Sequence, residues 1–398
     1  VAVVAQSSAS FMISSWIIGF WVAGGLMYIF GLIYLSSHQT RRKNPPTHSR
    51  EKMGKAVPGL TVIVPMRNEN VGLQPRMAHW RKWAEANPNV NFVFIDDQSS
   101  DGTLTELENT SFSAGTRVIS GIGTGKIGCW QAALQNAPIS DYYLLMDADV
   151  APNIVSISPL LCDMASQNAD LAMLPLGVRA SNFRTTFEAL DFVGLHGVGQ
   201  RLLSRGYPIL FSSAYTLVCG SLLRSFLHWV SSDPGHRKSA GPDARWMAYL
   251  SEHAYQTYLF SERPAANNSD GFYAEPVYGL MPAQAGFRTW LAQRARWASN
   301  ALGAPRSGSI WIQAAVIFGV LCAHLSVFAI PFAPVWAPLW LLKAFAEWRF
   351  FRTFPSVVSP RVPLLPFFVH SALFALLLPI AASYSLLLAG RRNESRWR

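Results

Sequence analysis

Charge is scarce in this chain. Only 14% of its 398 residues are Asp, Glu, Lys or Arg, against about 25% in an ordinary soluble domain. Acid is the scarcer sign, 23 residues against 33 basic ones, for a formal net charge of +10. Cysteine is nearly absent: Cys129, Cys162, Cys219 and Cys322 lie far apart with no Cys-x-x-Cys. That excludes a disulfide framework and a zinc knuckle and suits a reducing compartment. No His-Glu-x-x-His occurs among the nine histidines, so the zinc-protease pattern is missing. Internal repeats and low-complexity segments are missing too. Apolar material is plentiful, at 50% of the chain with 24 Phe, 12 Tyr and 14 Trp. Disorder is thereby excluded, and the length allows more than one domain.

The apolar residues are concentrated. Residues 11–35 carry no charge, about 25 positions that at ~1.5 Å each reach across a ~30 Å hydrocarbon core. Positive charge follows this run, in Arg41, Arg42, Lys43, Arg50, Lys52 and Lys55, whereas a signal peptide carries it in front. The positive-inside rule then predicts an outward N-terminus and a cytoplasmic side from residue 40 onward. Read this way, the basic excess is a topology signal beside a lipid bilayer and not a nucleic-acid arm. Residues 310–330 and 364–388 are each long enough to span. Between them, residues 331–354 hold Pro331, Pro334 and Pro338, then Lys343, Glu347, Arg349 and Arg352, a short third span or an interfacial segment. Arg391, Arg392, Arg396 and Arg398 favour a cytoplasmic end, hence two crossings after residue 305. The expected organisation is an anchor at 1–36, a basic linker at 37–56, a cytoplasmic domain at 57–305, a membrane or interfacial region at 306–390 and a basic tail at 391–398. Such a chain is an integral protein of the cell (inner) membrane.

The middle region is of soluble composition. Short apolar runs at 60–64 (Leu-Thr-Val-Ile-Val), 91–95 (Asn-Phe-Val-Phe-Ile), 117–119 and 142–146 (Tyr-Tyr-Leu-Leu-Met) alternate with helical patterns at 77–86, 104–109 and 129–136. Buried-type strands alternating with helices predict an α/β fold with a mainly parallel sheet covered on both faces. Ligands bind such sheets outside the carboxyl ends of the strands, and the polar clusters fall there.

The second run ends in Asp96-Asp97, then Ser99, Asp101, Gly102 and Thr103. Carboxylates there can accept hydrogen bonds from a base or ribose, and adjacent like charges ask for a partner. Ser99, Asp101 and Thr103 suit turn and cap chemistry equally well. After the third run, Gly123-Thr-Gly125-Lys126-Ile-Gly128 satisfies the dinucleotide spacing, with Lys126 available for anions. The fourth run ends in Asp147-Ala-Asp149, two carboxylates suited to a Mg²⁺ or Mn²⁺ ion shared with a diphosphate.

Taken in order, Val-Pro-x-Arg67-Asn68-Glu69, Asp96-Asp97-x-Ser-x-Asp-Gly-Thr, Gly125-Lys126, Asp147-Ala-Asp149 and Gln293-Arg-Ala-Arg296-Trp297 resemble the family 2 glycosyltransferases. The chain is most similar to their membrane-anchored branch, which includes ceramide glucosyltransferases and the processive cellulose, chitin and hyaluronan synthases. The resemblance implies a GT-A type nucleotide-sugar-binding domain. It implies that Asp96 and Asp97 hold the uracil and ribose of a UDP-linked donor with Asn68 and Glu69 beside them, and that Lys126 faces the nucleotide. Asp147 and Asp149 would bind the nucleotide and a divalent metal, Mg²⁺ or Mn²⁺. Gln293, Arg296 and Trp297 would bind the nucleotide sugar, with Arg296 opposing the leaving charge. Trp297 is either an apolar face for a sugar or lipid or a membrane-interface anchor. The family's base lies in an acidic pair, and here Pro242 replaces the first acid, leaving Asp243 as candidate base or as a helix cap. Gly220 and Arg224 resemble the turn below the acceptor site, or form an ordinary turn. Few spans favour inverting transfer of one sugar to a membrane lipid or hydrophobic acceptor, with a processive polysaccharide synthase as the alternative. Two readings from other classes are a nucleotide-dependent membrane oxidoreductase built on the Gly123 loop and a non-catalytic scaffold.

Overall fold

The computed structural model describes residues 2–36, 57–110, 115–232, 241–258, 277–302, 310–330 and 336–389. The basic linker, Pro331, Pro334 and the tail arginines lie outside them. In chain order the elements begin with α1 (Ala2–Leu35), β1 (Leu60–Met66), α2 (Leu73–Ala86), β2 (Val90–Asp96), α3 (Thr103–Glu108), β3 (Thr116–Ser120), α4 (Gly125–Asn136) and β4 (Tyr142–Met146). Next come β5 (Ala151–Pro152), α5 (Ser158–Ser166), β6 (Leu171–Met173), β7 (Leu176–Val178), α6 (Phe183–Leu203), β8 (Tyr215–Cys219) and α7 (Gly220–Ser232). The chain continues through α8 (Pro242–Glu252), β9 (Gly279–Met281), α9 (Phe287–Leu302), α10 (Ile310–Ala329), α11 (Trp336–Phe351) and α12 (Leu364–Ala389). Two compact units result: Val1–Gln39, Gly308–Thr353 and Arg361–Tyr384 form one, and Thr40–Ser307, Phe354–Pro360 and Ser385–Arg398 the other.

The larger unit is built on a six-stranded sheet of order β3-β2-β1-β4-β8-β6. Its first four strands are parallel, while β8 runs antiparallel to both β4 and β6. The sheet is therefore mixed, mainly parallel as expected, with β8 alone running against the other five strands. A single apolar run such as Tyr215–Cys219 carries no sign of its direction, and antiparallel pairing needs no regular crossover. β1 and β4 are buried along their whole length, which is why they read as unbroken apolar runs and not as alternating ones. Trp80 and Trp83 of α2 pack on Phe94 and Phe92 of β2 at 5.5 and 5.7 Å, and the Trp80 indole donates to the Val150 carbonyl at 3.0 Å. Truncating either Trp to Ala would cost about 3–5 kcal/mol. A second aromatic cluster joins α4, α7 and α8, with Phe226 stacked on Trp246 at 3.8 Å. A small sheet, β5-β9-β7, brings the segment before α9 next to the chain that leaves β4.

The smaller unit consists of α1, α10, α11 and α12. Gly24 on α1 meets α10 so closely that an added Cβ would lie 2.6 Å from the Cys322 Sγ. Lys343 and Glu347, one turn apart on α11, are fully buried and paired at 3.0 Å. Lys343 also donates to Ser371 of α12 at 2.8 Å and to His324 of α10 at 3.1 Å. Glu347 accepts from Tyr28 of α1 at 2.8 Å and from Ser371 at 2.8 Å. Lys343 and Glu347 thus tie four helices together. Among the described residues one helix, through Ile18–Leu35, is long and apolar enough to cross a membrane. α10 and α12 form where two further spans are expected and present the shorter apolar stretches Phe318–Phe328 and Leu364–Leu377.

Candidate functional site

The carboxyl ends of β1 and β2 lie side by side, Met66 opposite Asp96, and the two turns beyond them are stitched together. Ser99 Oγ accepts from the Asn68 amide at 2.9 Å, and Asn68 Oδ1 from the Ser100 amide at 2.8 Å. Asp101 accepts from the Asn70 amide at 3.0 Å, and Thr103 Oγ1 from that of Glu69 at 2.8 Å. Asn68 takes a left-handed φ of 57°, a conformation Asn tolerates better than most residues. Ser99, Asp101, Thr103 and the Asn68 side chain are committed to shaping the loop. Asp96 and Asp97 differ. Each uses Oδ2, accepting from the Ser99 amide at 3.1 Å and the Gly125 amide at 2.9 Å respectively, while each Oδ1 is buried without a partner. A buried acceptor left unsatisfied costs about 1–3 kcal/mol, which a donor such as an imide N–H or a ribose hydroxyl would relieve. Beside them burial, then the fields of Asp97 and Asp96, push the Cys129 thiol up, so it stays neutral. The Gly123 loop follows β3, the edge strand, and its Gly125 amide is spent on Asp97, so the context a dinucleotide fold requires is not met.

The next strand end gathers charge. Lys126, in the first turn of α4, donates to both oxygens of Asp147 at 2.6 and 2.7 Å. Burial works against its charge, but the fields of Asp147, Asp243 and Asp149 outweigh it and hold its pKa up. Asp149 is pushed up to about 6, by burial first and then by Asp147 and Glu69. Glu69, predicted beside the nucleoside, is thus near enough to Asp149 to be felt there, and Arg76 pairs with it at 2.8 Å. Asp243 lies in the first turn of α8 without capping it. The cap position is Gly241, and Asp243 Oδ1 accepts from the Ser213 amide at 2.8 Å and hydroxyl at 2.6 Å. Burial raises its pKa against the pull of Lys126. Asp243, Asp147, Asp149 and Lys126 therefore share one electrostatic neighbourhood, although about a hundred residues separate the ends of that set.

A small, shallow cleft adjoins Asp149, walled by Glu188 and Phe192 of α6, Met281 and Gln284, and Gln293 and Arg294 of α9. Glu188 Oε1 accepts from the Gln284 amide at 2.8 Å. Asp191 accepts from the Trp290 indole at 3.1 Å and from Arg294 Nε at 2.6 Å. The Arg294 guanidinium lies over the Trp297 ring, 4.2 Å from its centroid. Trp297 also sits 5.9 Å from Phe192, so one of its faces is occupied within this unit. Arg296 is half-buried and does not line the cleft. Gly220 opens α7 where an added Cβ would come within 2.9 Å of the Ser140 carbonyl, a close approach only glycine allows. Glu188, Asp191, Ser213 and Arg294 carried no motif signal of their own.

Among the described residues no three metal-type side chains converge. Asp147 and Asp149 nonetheless fit a Mg²⁺ or Mn²⁺ ion, which takes one or two carboxylates and completes its shell with water and phosphate oxygens. The elevated Asp149 carboxyl, crowded by two other acids, marks negative charge that a cation would neutralise.

Residues 61–219 match the family model for glycosyl transferase family 2 and form a domain of that type. The match ends at Cys219, ahead of Asp243 and the Gln293–Trp297 segment. No curated protein matches the chain. Among solved structures it is similar to the mannosyltransferase PcManGT from Pyrobaculum calidifontis in complex with GDP-Man and Mn²⁺, at 15% identity over 94% of this chain and 95% of that one, TM-score 0.49. It is similar to S. aureus TarS 1–349 in complex with UDP, at 15% identity over 85% and 93%, TM-score 0.38. It is also similar to mannosyl-3-phosphoglycerate synthase from Rubrobacter xylanophilus, at 17% identity over 42% and 54%, TM-score 0.29.

Proposed function

We propose that the protein is a membrane-bound glycosyltransferase that moves one sugar from a nucleotide sugar to a lipid or other hydrophobic acceptor, inverting the anomeric centre. The observation that carries this is the convergence of Lys126, Asp147, Asp149 and Asp243 beside the partner-seeking oxygens of Asp96 and Asp97, all within the unit that holds the glycosyl transferase family 2 domain. Asp96 and Asp97 take the nucleoside through their open Oδ1 atoms. Lys126 neutralises phosphate. Asp243 accepts the proton of the acceptor hydroxyl: Ser213 fixes Oδ1, and Oδ2 has no hydrogen-bond partner among the described residues. Burial makes this carboxylate more basic than a solvated one, as a general base requires. A divalent ion held by Asp149 and Asp147 would supply charge neutralisation for the departing diphosphate. Chain residues do the rest: orient the acceptor, remove its proton and oppose the leaving charge.

The test is nucleotide release from a panel of UDP- and GDP-sugars, with total lipid extract as acceptor source, with Mn²⁺ or Mg²⁺ and in excess chelator. Release that needs lipid and metal is expected. No release from any donor would overturn the reading, and full transfer in chelator by metal-free protein would remove the ion from it. Orientation is read separately. In intact cells Thr47→Cys and the exposed Cys162 should both resist a membrane-impermeant thiol reagent, and ready labelling would reverse the cytoplasmic assignment.

A further inference from the structure

The Lys126 ammonium sits where a metal ion would be expected to bind. It donates to both oxygens of Asp147, at 2.6 and 2.7 Å, so neither oxygen is left without a donor. Asp149, two residues on, and Asp243 lie close enough for their fields to reach the same ammonium. Lys126 is thus the counter-charge of three acids, two of which are the carboxylates suited to a divalent ion. The pair is not sealed. The Lys126 and Asp147 side chains are 24% and 26% exposed, against 0% and 5% for Lys343 and Glu347. A pair open to water can exchange partners, and the flexible four-carbon stem of lysine lets its point charge move between them.

We propose that Lys126 and a divalent ion are alternative occupants of the Asp147 carboxylate, and that the donor's diphosphate draws the ammonium away, so that nucleotide and ion load as a pair. The proposal rests on the nucleotide-sugar reading above. An ammonium on both oxygens leaves no edge for a second cation, and two cations on one carboxylate repel each other. The alternative anion has a route to the lysine. Lys126 directly follows Gly125, whose amide donates to Asp97 at 2.9 Å. A nucleoside bound at Asp97 therefore brings its phosphates to the first turn of α4, where lysine serves as a point-charge phosphate ligand. The charge also balances. As the ammonium moves to phosphate, Asp147 and Asp149 regain the negative charge that a Mg²⁺ or Mn²⁺ ion needs, and phosphate and water complete the ion's shell. Lys126 thus excludes metal from a site without nucleotide. By linkage, whatever factor the nucleotide adds to metal affinity, the metal adds to nucleotide affinity.

The experiment uses the full chain in detergent and Mn²⁺ itself as the probe. Its bound fraction is read by electron paramagnetic resonance, without nucleotide and at saturating UDP or GDP. Lys126→Met keeps most of the stem and removes the ammonium. Without nucleotide, Mn²⁺ affinity should rise roughly 10- to 100-fold in the variant, the worth of a charge-assisted bond. At saturating nucleotide the gain should shrink to about twofold, because the ammonium has already left Asp147. UDP affinity without metal should fall roughly 10-fold. An equal Mn²⁺ gain with and without nucleotide would make Lys126 a nearby positive charge and nothing more, and would overturn the proposal. Unchanged or weaker Mn²⁺ binding without nucleotide would overturn it too, since the lysine then excludes no ion. If Lys126→Met fails to fold, Lys126→Gln decides by the same ratio. Wild-type protein that binds neither UDP nor GDP, with or without Mn²⁺, would remove the nucleotide-sugar reading itself, and the proposal with it, whatever the variant does to Mn²⁺ alone.

Discussion

Two buried polar clusters in this molecule follow opposite rules. In the helical unit Lys343, Glu347, Ser371, His324 and Tyr28 close on one another, and each charge meets an opposite charge or a donor. At the edge of the sheet, Asp96 and Asp97 are as deeply buried, yet each keeps an oxygen without a partner. Burial is equally demanding of both. The difference teaches how to separate a polar group that holds a fold from one that waits for a ligand. A closed cluster has used its donors and acceptors on the chain itself, whereas an open one reserves them at a cost in stability.

The largest effect is expected where the closed cluster is broken. Lys343→Met leaves Glu347 buried without its counter-charge and should cost about 3–5 kcal/mol, whereas Lys343→Met/Glu347→Leu should recover most of that. Denaturation midpoints of the two variants in detergent check this, and equal losses would mean that the cluster is not closed after all. Next comes Asp243→Asn, in which the amide oxygen still accepts from Ser213 but the basicity is gone. Transfer should fall by roughly 10²-fold or more while nucleoside diphosphate affinity stays near normal. Turnover and binding measured on one preparation decide it, and near-normal turnover would move the base elsewhere.

Asp149 sharpens the comparison with a sign. Its carboxyl titrates at about 6 in the folded protein, above the ordinary Asp value of about 3.9. The fold therefore binds a proton more tightly than the unfolded chain, and ionised Asp149 destabilises it at neutral pH. Metal-free Asp149→Asn should be more stable than wild type at pH 8, by about 1–3 kcal/mol. The gain should shrink as pH falls through 6 and vanish near 4. Thermal unfolding at pH 8, 6 and 4 tests this, and a loss at pH 8 would show that the carboxylate is structurally satisfied. The smallest effect belongs to the stitching residues. Asp101→Ala removes acceptors from a largely exposed turn and should cost about 1 kcal/mol, with nucleotide affinity reduced only as far as the loop loosens.

Much of the open cluster was legible in the sequence and little of what surrounds it. Asp96-Asp97 and Asp147-Ala-Asp149 stand out because each ends a short apolar run, and parallel strands place such ends on one edge. Asp243 was found by its place in the order of motifs, but Ser213, which orients it, sits thirty residues away in an unremarkable loop. Gln-Arg-Ala-Arg-Trp contains two arginines two positions apart, about 200° around a helix, and no pattern within the segment says which one faces the cleft. Asp191 decides that, and it is hidden in the long helix α6. The antiparallel turn of the sheet was illegible for a different reason: strand direction is set by the connection, and a run of apolar residues reads the same both ways. Likewise Lys343 and Glu347 read only as charges within a short span or interfacial segment, since pairing across four helices leaves no local trace.

The bond between Tyr28 and Glu347 joins residues 319 positions apart. At about 5–20 residues per second of synthesis, its acceptor leaves the ribosome roughly 15 s to a minute after its donor. During that interval most of the sugar-transfer domain is made, while the first helix lacks the glutamate that takes its hydroxyl and, until residue 310 onward is made, the α10 surface that fits against Gly24. The helical unit is thus assembled from segments that flank most of that domain in the sequence. A nascent chain arrested before Glu347 would carry most of that domain, still without Phe354–Pro360, and a first helix whose hydroxyl has no glutamate to meet.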